Sequence, residues 1–305
     1  MFNRRELDCI DCPHGGAADA KNKSHNSYTQ ANPAVSSTSH REQKFLFRIL
    51  NLMTKLGPLA LVRCARIRFF LRFVPSPERF LDAGCGTGTT SFFLAKLGLG
   101  GMAVDFSPES ISEASHLLAP FPSIEVRQAD IHSIESQGNF DIVIFWEVLE
   151  HIGDDAAALE NIRGNLKMGG HLILSVPCRL SLWNIWDEYV GHLRRYEADE
   201  LVQLLFRAGF QIVSFQSGLT AWRFILLSMA KMLAWMRKSS WKQKPAIEMT
   251  RKSGIRSLCL HTMFDRPLKI LLNVTILPFF LALEAIFAKN LSLAYSYHVL
   301  ARKVR

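Results

Sequence analysis

The chain has 305 residues, 49% of them hydrophobic, with a formal net charge of +9. This is material for one α/β domain with extensions or for two small domains, and it is too apolar for a wholly disordered chain. Six scattered cysteines (Cys9, Cys12, Cys64, Cys85, Cys178 and Cys259), with no apolar run behind a basic start, argue against a secreted disulfide scaffold and predict a reduced, cytoplasmic protein without a signal peptide. The positive balance predicts an anionic partner, either nucleic acid or an acidic membrane surface, and the placement of the basic residues decides between them.

Residues 1–40 are rich in Asn, Ser, Ala, Gly and Lys and poor in large apolar side chains. They cannot bury enough surface to offset their ordering entropy, so a disordered arm is expected. Within it Cys9-Ile10-Asp11-Cys12-Pro13-His14 has half the look of a zinc site. No second pair follows at finger-like spacing, and two incidental cysteines are the preferred reading. Residues 41–73 turn apolar and interleave Arg48, Lys55, Arg63, Arg66, Arg68 and Arg72, with Gly57-Pro58 dividing two helical pieces. Such basic amphipathic helices can lie on an anionic membrane, cover an active site, or be ordinary surface helices with snorkelling arginines.

The main domain opens after Pro75 and Pro77. Phe80-Leu81-Asp82-Ala83-Gly84-Cys85-Gly86-Thr87-Gly88 reads as a strand and a tight turn, followed by a helix over 91–97. Glycines at every second position let the backbone turn sharply and approach a ligand, while the helix aims its free N–H groups at the same spot. A dinucleotide fingerprint needs its third glycine where Thr89 stands, and Asp82 before the turn suits an ammonium or sulfonium better than a pyrophosphate. A nucleoside-like ligand follows.

Met102 to Asp105 is a short buried strand ending in a carboxylate that can accept both hydroxyls of a ribose. Ser107, before Pro108, is the expected N-cap of the next helix. A third strand runs from Ile124 to Asp130 and a fourth from Phe140 to Trp146, continuing into Glu147-Val148-Leu149-Glu150-His151. A helix to about Leu166, the turn Lys167 to Gly170 and a fifth strand from His171 to Val176 complete a pattern that specifies a parallel sheet.

These motifs, in this order and spacing, resemble class I S-adenosylmethionine (SAM) dependent methyltransferases of the broad type 11/12, and Glu-Val-Leu-Glu-His is similar to the quinone-biosynthesis O-methyltransferases. The resemblance covers about Phe80 to Phe215 plus a last strand. It implies SAM as cofactor, with Asp82, Gly84, Gly86 and Gly88 along its methionine end, Asp105 at its ribose and Asp130 at its adenine. Trp146 and Glu147 would stand beside the cofactor near the sulfonium methyl. In the quinone enzymes the two glutamates and the histidine, here Glu147, Glu150 and His151, are associated with a divalent metal. The reading preferred here is no metal, with these residues capping a helix and pairing with arginines.

Gly191-His192-Leu193-Arg194-Arg195-Tyr196 precedes the next helix, at the sheet edge where open α/β folds bind ligands. His151, His192 and Tyr196 are the catalytic candidates, either histidine being able to take a proton from a substrate hydroxyl. Alternatively the two arginines fix the loop and His192 is a structural donor. A helix from Glu197 to Ala208 leads to a sixth strand at Phe210 to Phe215, and the seventh is matched to Leu291 to Ala301.

The expected architecture is thus α/β: a doubly wound, seven-stranded, mostly parallel sheet with a Rossmann-like methyltransferase fold and a helical hydrophobic insert between the last two strands. Its parts are the arm 1–40, the basic helices 41–73, the SAM-binding core 74–217, the insert 218–290, and the last strand and tail 291–305. The insert, apolar at Leu219 to Met236 and Leu268 to Ala288 around a basic segment, reads as a lid or a membrane-associated subdomain on an anionic surface rather than a span. The expected function is O-methylation of a hydrophobic or lipid-linked, quinone-like small molecule, at a cytoplasmic site or on the cytoplasmic face of a membrane. Rivals are a non-catalytic SAM-binding module on a membrane, a nucleic-acid methyltransferase, for which no base-flipping motif stands at Trp146 to Leu149, and a nicotinamide oxidoreductase. No nucleic-acid partner is expected, and the oligomeric state stays open.

Overall fold

The computed structural model describes residues 58–135, 138–218 and 281–304, with single positions 228, 232, 235, 278 and 279. The arm 1–40, the first part of the basic helices and most of the insert lie outside the described residues.

Seven strands form one sheet in the order β3-β2-β1-β4-β5-β7-β6, as the alternation of apolar runs predicts. They are β1 (Arg79–Ala83), β2 (Gly100–Asp105), β3 (Ile124–Gln128), β4 (Phe140–Trp146), β5 (Leu166–Pro177), β6 (Phe210–Gly218) and β7 (Ser296–Lys303). The first five pair in parallel, and β7 lies antiparallel between β5 and β6. The chain order reverses beside β1, where β2 leaves to one side and β4 sits on the other. That reversal is where doubly wound sheets open a crevice at the carboxyl ends of their strands.

The helices are α1 (Pro58–Leu71), α2 (Thr89–Lys96), α3 (Pro108–Leu118), α4 (Asp155–Asn165), α5 (Ile185–Val190) and α6 (Ala198–Arg207). Successive strand residues face opposite sides, which makes two cores. Phe80, Ile142, Ile144 and Ile173 pack with Ile67 and Phe70 of α1 and Leu94 of α2. Leu81, Val143, Phe145 and Leu174 pack with Leu159 and Ile162 of α4 and Leu201 and Leu205 of α6. Pro58 opens α1, a position where its missing N–H is harmless. Ser107 caps α3 by accepting the Ser110 N–H, with Pro108 next, as expected.

Several boundaries move. β3 stops at Gln128, and Asp130 instead caps a 3-10 turn over Ile131–Ser133 by accepting the His132 N–H. β5 begins at Leu166 because Leu166 already pairs with Phe140, across a register shift. The expected strand start at Leu291 is a 3-10 turn, Leu291–Leu293, that Asn290 caps, so β7 begins at Ser296. The end of the insert is tied to the core. Residues 281–287 are helical, and Arg66 of α1 bonds the Gln216 side chain and the Ser217 carbonyl, with Glu284 at 3.8 Å. Ser217 donates from its N–H to the Ala288 carbonyl and from its hydroxyl to that of Phe287. Among the described residues no helix is long and apolar enough to cross a membrane.

Candidate active site

The glycine turn sits at the carboxyl end of β1. Gly84, Gly86 and Gly88 all have positive φ, between 53° and 79°. At Gly84 a Cβ would collide with the Val148 side chain, so the β1 turn and the segment after β4 approach closely only without one. At Gly86 a Cβ would meet nothing within 4 Å, so open space lies above the turn. The first turn of α2 has no side-chain cap at Gly88.

Two carboxylates stand beside the turn, Asp105 bonded to it and Asp82 two residues before it. Asp105, at the end of β2, accepts the Gly86 N–H on Oδ2 at 2.8 Å and the Ser107 N–H on Oδ1 at 2.9 Å. Each oxygen keeps a second lone pair for a ribose hydroxyl. Burial raises its pKa against the pull of the Ser107, Gly86 and Phe106 backbone N–H groups. Asp82 is almost wholly buried and accepts the Ser91 hydroxyl at 2.6 Å. Burial pushes its carboxyl up to about 6, although the Ser91 bond and the positive charge of Arg63 pull the other way. The space, the two acidic groups and the uncapped helix start fit a cationic nucleoside. Arg63 of α1, which no motif singles out, lies over the Trp146 ring at 6.0 Å and reaches Thr90 Oγ1 at 3.5 Å. Trp146 closes β4 and packs on His298 of β7, with ring centroids 4.7 Å apart. Asp130 is exposed, at the start of the 3-10 turn after β3.

After β4 the chain does not continue as a helix. Glu147 adopts φ +56°, donates its N–H to the Ser175 carbonyl and accepts the Ser175 hydroxyl on its carboxylate. A 3-10 turn over Leu149–His151 follows, and α4 is capped by Asp154 rather than by the glutamates. Glu150 is fully buried, and burial, with Glu147 adding to it, drives its pKa well above the carboxylate range. His151 Nδ1 meets the Gly191 carbonyl at 3.1 Å, and burial, then His192, push its pKa down to about 4, so the ring is neutral. The His151 and His192 rings meet edge to face at 4.8 Å.

The loop between α5 and α6 brings in the third candidate. His192 Nδ1 lies 2.8 Å from Asp187 Oδ1. Arg195 grips the same carboxylate with Nε at 2.8 Å and Nη2 at 3.1 Å, while Arg194 pairs with Asp155 at 2.7 Å. Burial alone would raise the Asp187 pKa, but the bonds from His192 and Arg195 hold it below the ordinary range. Both arginines thus pair where the structural alternative for this loop puts them, Arg195 with Asp187 and Arg194 with Asp155, and Asp187 is the residue that sequence reasoning missed. Tyr196 is fully buried, with its hydroxyl between Asp155 Oδ2 at 3.0 Å and the Leu149 carbonyl at 3.4 Å. Burial, then Asp155, raise its pKa, and the hydroxyl is engaged on both sides.

A family model described as a methyltransferase domain matches residues 60–215. A ubiquinone biosynthesis O-methyltransferase of Xanthomonas axonopodis is 33% identical over 144 residues, 45% of this chain and 60% of that protein. A Mycobacterium tuberculosis protein named "Probable S-adenosylmethionine-dependent methyltransferase" is 31% identical over 133 residues, 43% of this chain and 47% of that one. The alignments thus span about half to three fifths of these curated relatives. Among solved structures, phosphoethanolamine N-methyltransferase 2 of Haemonchus contortus, in complex with S-adenosyl-L-methionine, superposes with a TM-score of 0.51 at 18% identity, covering 79% of this chain and 52% of that one. At that identity the likeness carries the fold.

Proposed function

The chain belongs to the SAM-dependent methyltransferase family, and from that membership we propose that it methylates an oxygen of a hydrophobic or lipid-linked, quinone-like small molecule. The observation that carries the transfer reading is the junction of the glycine turn with Asp105: the Gly86 N–H bonds that carboxylate beneath open space at the sheet's crevice. The quinone-like acceptor is supported by the printed names of the curated relatives and by the imidazoles gathered at the same sheet edge.

SAM, when bound, supplies a methyl carbon already activated by its sulfonium. The chain's own work is then to hold and to exclude. Asp105 takes the ribose hydroxyls, Asp82 offers negative charge toward the methionine end, and Asp130 stands exposed for the adenine amino group. Trp146, with Arg63 above it, walls off water beside the reacting carbon, which favours an in-line displacement by a held nucleophile. The Glu150, His151 and His192 cluster at the end of β4 is where an acceptor hydroxyl would lose its proton.

The test is incubation of the full chain with methyl-labelled SAM and, separately, quinone precursors, lipid extracts and RNA. The reading expects label in a hydrophobic phenol or enol. Label only in RNA, or SAM binding without transfer to any acceptor, would replace it by the nucleic-acid enzyme or the non-catalytic module. A membrane location for the basic and apolar segments is part of the same proposal. It expects cosedimentation with anionic vesicles and its loss at high salt.

A further inference from the structure

His298 is almost wholly buried on β7, and its Nδ1 has no hydrogen-bond partner. Side chains alternate along a strand, so His298 shares the α1 side of the sheet with Leu300, while Tyr297 and Val299 face the other core. Across the sheet it pairs with Ser175 of β5, which pairs in turn with Trp146, the last residue of β4. Asp82 pairs with Ile144, so Trp146 lies level with the start of the glycine turn, and the imidazole stands at that same edge. A buried ring nitrogen without a partner is costly, and native structures rarely keep one uncompensated.

The rest of the ring is fixed. Nε2 meets the Ser296 hydroxyl at 3.0 Å, and the Trp146 ring lies 4.7 Å away. Gly218 of β6 leaves room for the imidazole, since a Cβ there would collide with it. Burial, then the positive charges of Arg66 and Arg63, hold the His298 pKa well below its ordinary value. The ring is neutral, a hydrogen-bonding group rather than a proton carrier. The Ser296 hydroxyl can donate to Nε2 or accept from it, so Nδ1 can offer either an N–H or a lone pair. The two guanidinium groups favour an electron-rich oxygen as its partner, as in a phenol or enol that is losing its proton.

We infer that His298 is a specificity-determining residue for the methyl acceptor: its Nδ1 bonds a second oxygen of an aromatic or enolic ring that lies along Trp146, beside the oxygen that is methylated. The acceptor class is then a ring with two neighbouring oxygens, a catechol or a hydroxylated quinol. A ring with one oxygen leaves Nδ1 bare, and a site built to bond a substrate hydroxyl rejects the analogue that lacks it. This inference rests on the O-methylation reading above. Deprotonation of the methylated oxygen stays with the cluster beyond the end of β4, and His298 acts on which acceptor is held rather than on the transfer itself.

The test is equilibrium binding of nonylcatechol, and of nonylphenol, which lacks one hydroxyl, to the full chain loaded with S-adenosylhomocysteine in lipid nanodiscs. The unmutated protein should bind nonylcatechol about 10- to 100-fold more tightly. His298→Phe keeps a ring against Trp146 but removes Nδ1, and it should bring that ratio down to about one. His298→Asn, whose amide can stand near the place of Nδ1, should restore part of the preference. A merely structural histidine would weaken both probes alike. In the unmutated chain, the Nδ1 resonance of one isotope-labelled histidine should shift with nonylcatechol and stay in place with nonylphenol, a readout that does not depend on any variant folding. Equal binding of the two probes, a preference that His298→Phe leaves intact, or failure of both probes to bind would each overturn the role. The O-methylation reading fails separately, if labelled SAM leaves no methyl group on nonylcatechol while the preference that depends on His298 persists.

Discussion

Asp105 and Asp82 carry the cofactor reading in different ways, and each can be tested alone. Asp105 organises the turn by accepting two backbone N–H groups, and it is also the expected ribose acceptor. Asp105→Ala should weaken SAM binding about 10- to 100-fold, the loss of charge-assisted hydrogen bonds of about 1.5–3 kcal/mol; unchanged affinity in a calorimetric titration would remove the assignment. Asp82 titrates where it can be watched, because burial raises its pKa from 3.8 to about 6. Between these values the folded chain binds more protons than the unfolded one, so this group's contribution to stability falls as pH rises from about 4 to 6, by about 3 kcal/mol in the empty protein. SAM affinity should move oppositely, dropping as pH falls through about 6 and the negative charge facing the methionine end is lost. An affinity flat from pH 5 to 8 would contradict that role.

Local sequence made the helix caps and strand cores legible, since Ser107-Pro108 and alternating runs such as Phe140 to Trp146 act on their own neighbours. The turn after β4 was less readable. Its shape depends on Ser175, 28 residues away, holding Glu147, and on Val148 resting against Gly84. Gly84→Ala should therefore cost about 2–4 kcal/mol, from a left-handed backbone and a clash with Val148, as read from denaturant unfolding; a loss below about 1 kcal/mol would mean that the two segments separate easily. Asp187 was invisible for the same reason. Only the folded loop turns the spacing of Asp187, His192 and Arg195 into one cluster. Tyr196, read from its motif as a catalytic candidate, locks that loop to α4 through Asp155. Tyr196→Phe should lower stability by about 1–2 kcal/mol and leave the methylation rate unchanged. A large fall in kcat with intact stability would restore the tyrosine to catalysis.

At the scale of the molecule, the sheet order and the glycine turn leave little freedom in where a ligand sits. The chain order reverses beside β1, and the turn, Asp105, Trp146 and the histidine cluster all lie at the carboxyl ends of the central strands. The central claim concerns the crevice, which is built for SAM and not for a dinucleotide. Calorimetric titration of the full chain in lipid nanodiscs, first with SAM and then with NADH, tests it most directly. The account predicts saturable 1:1 binding of SAM and no heat from NADH. A folded protein that ignores SAM, or that binds NADH in its place, would contradict the reading of the glycine turn and every role assigned around it.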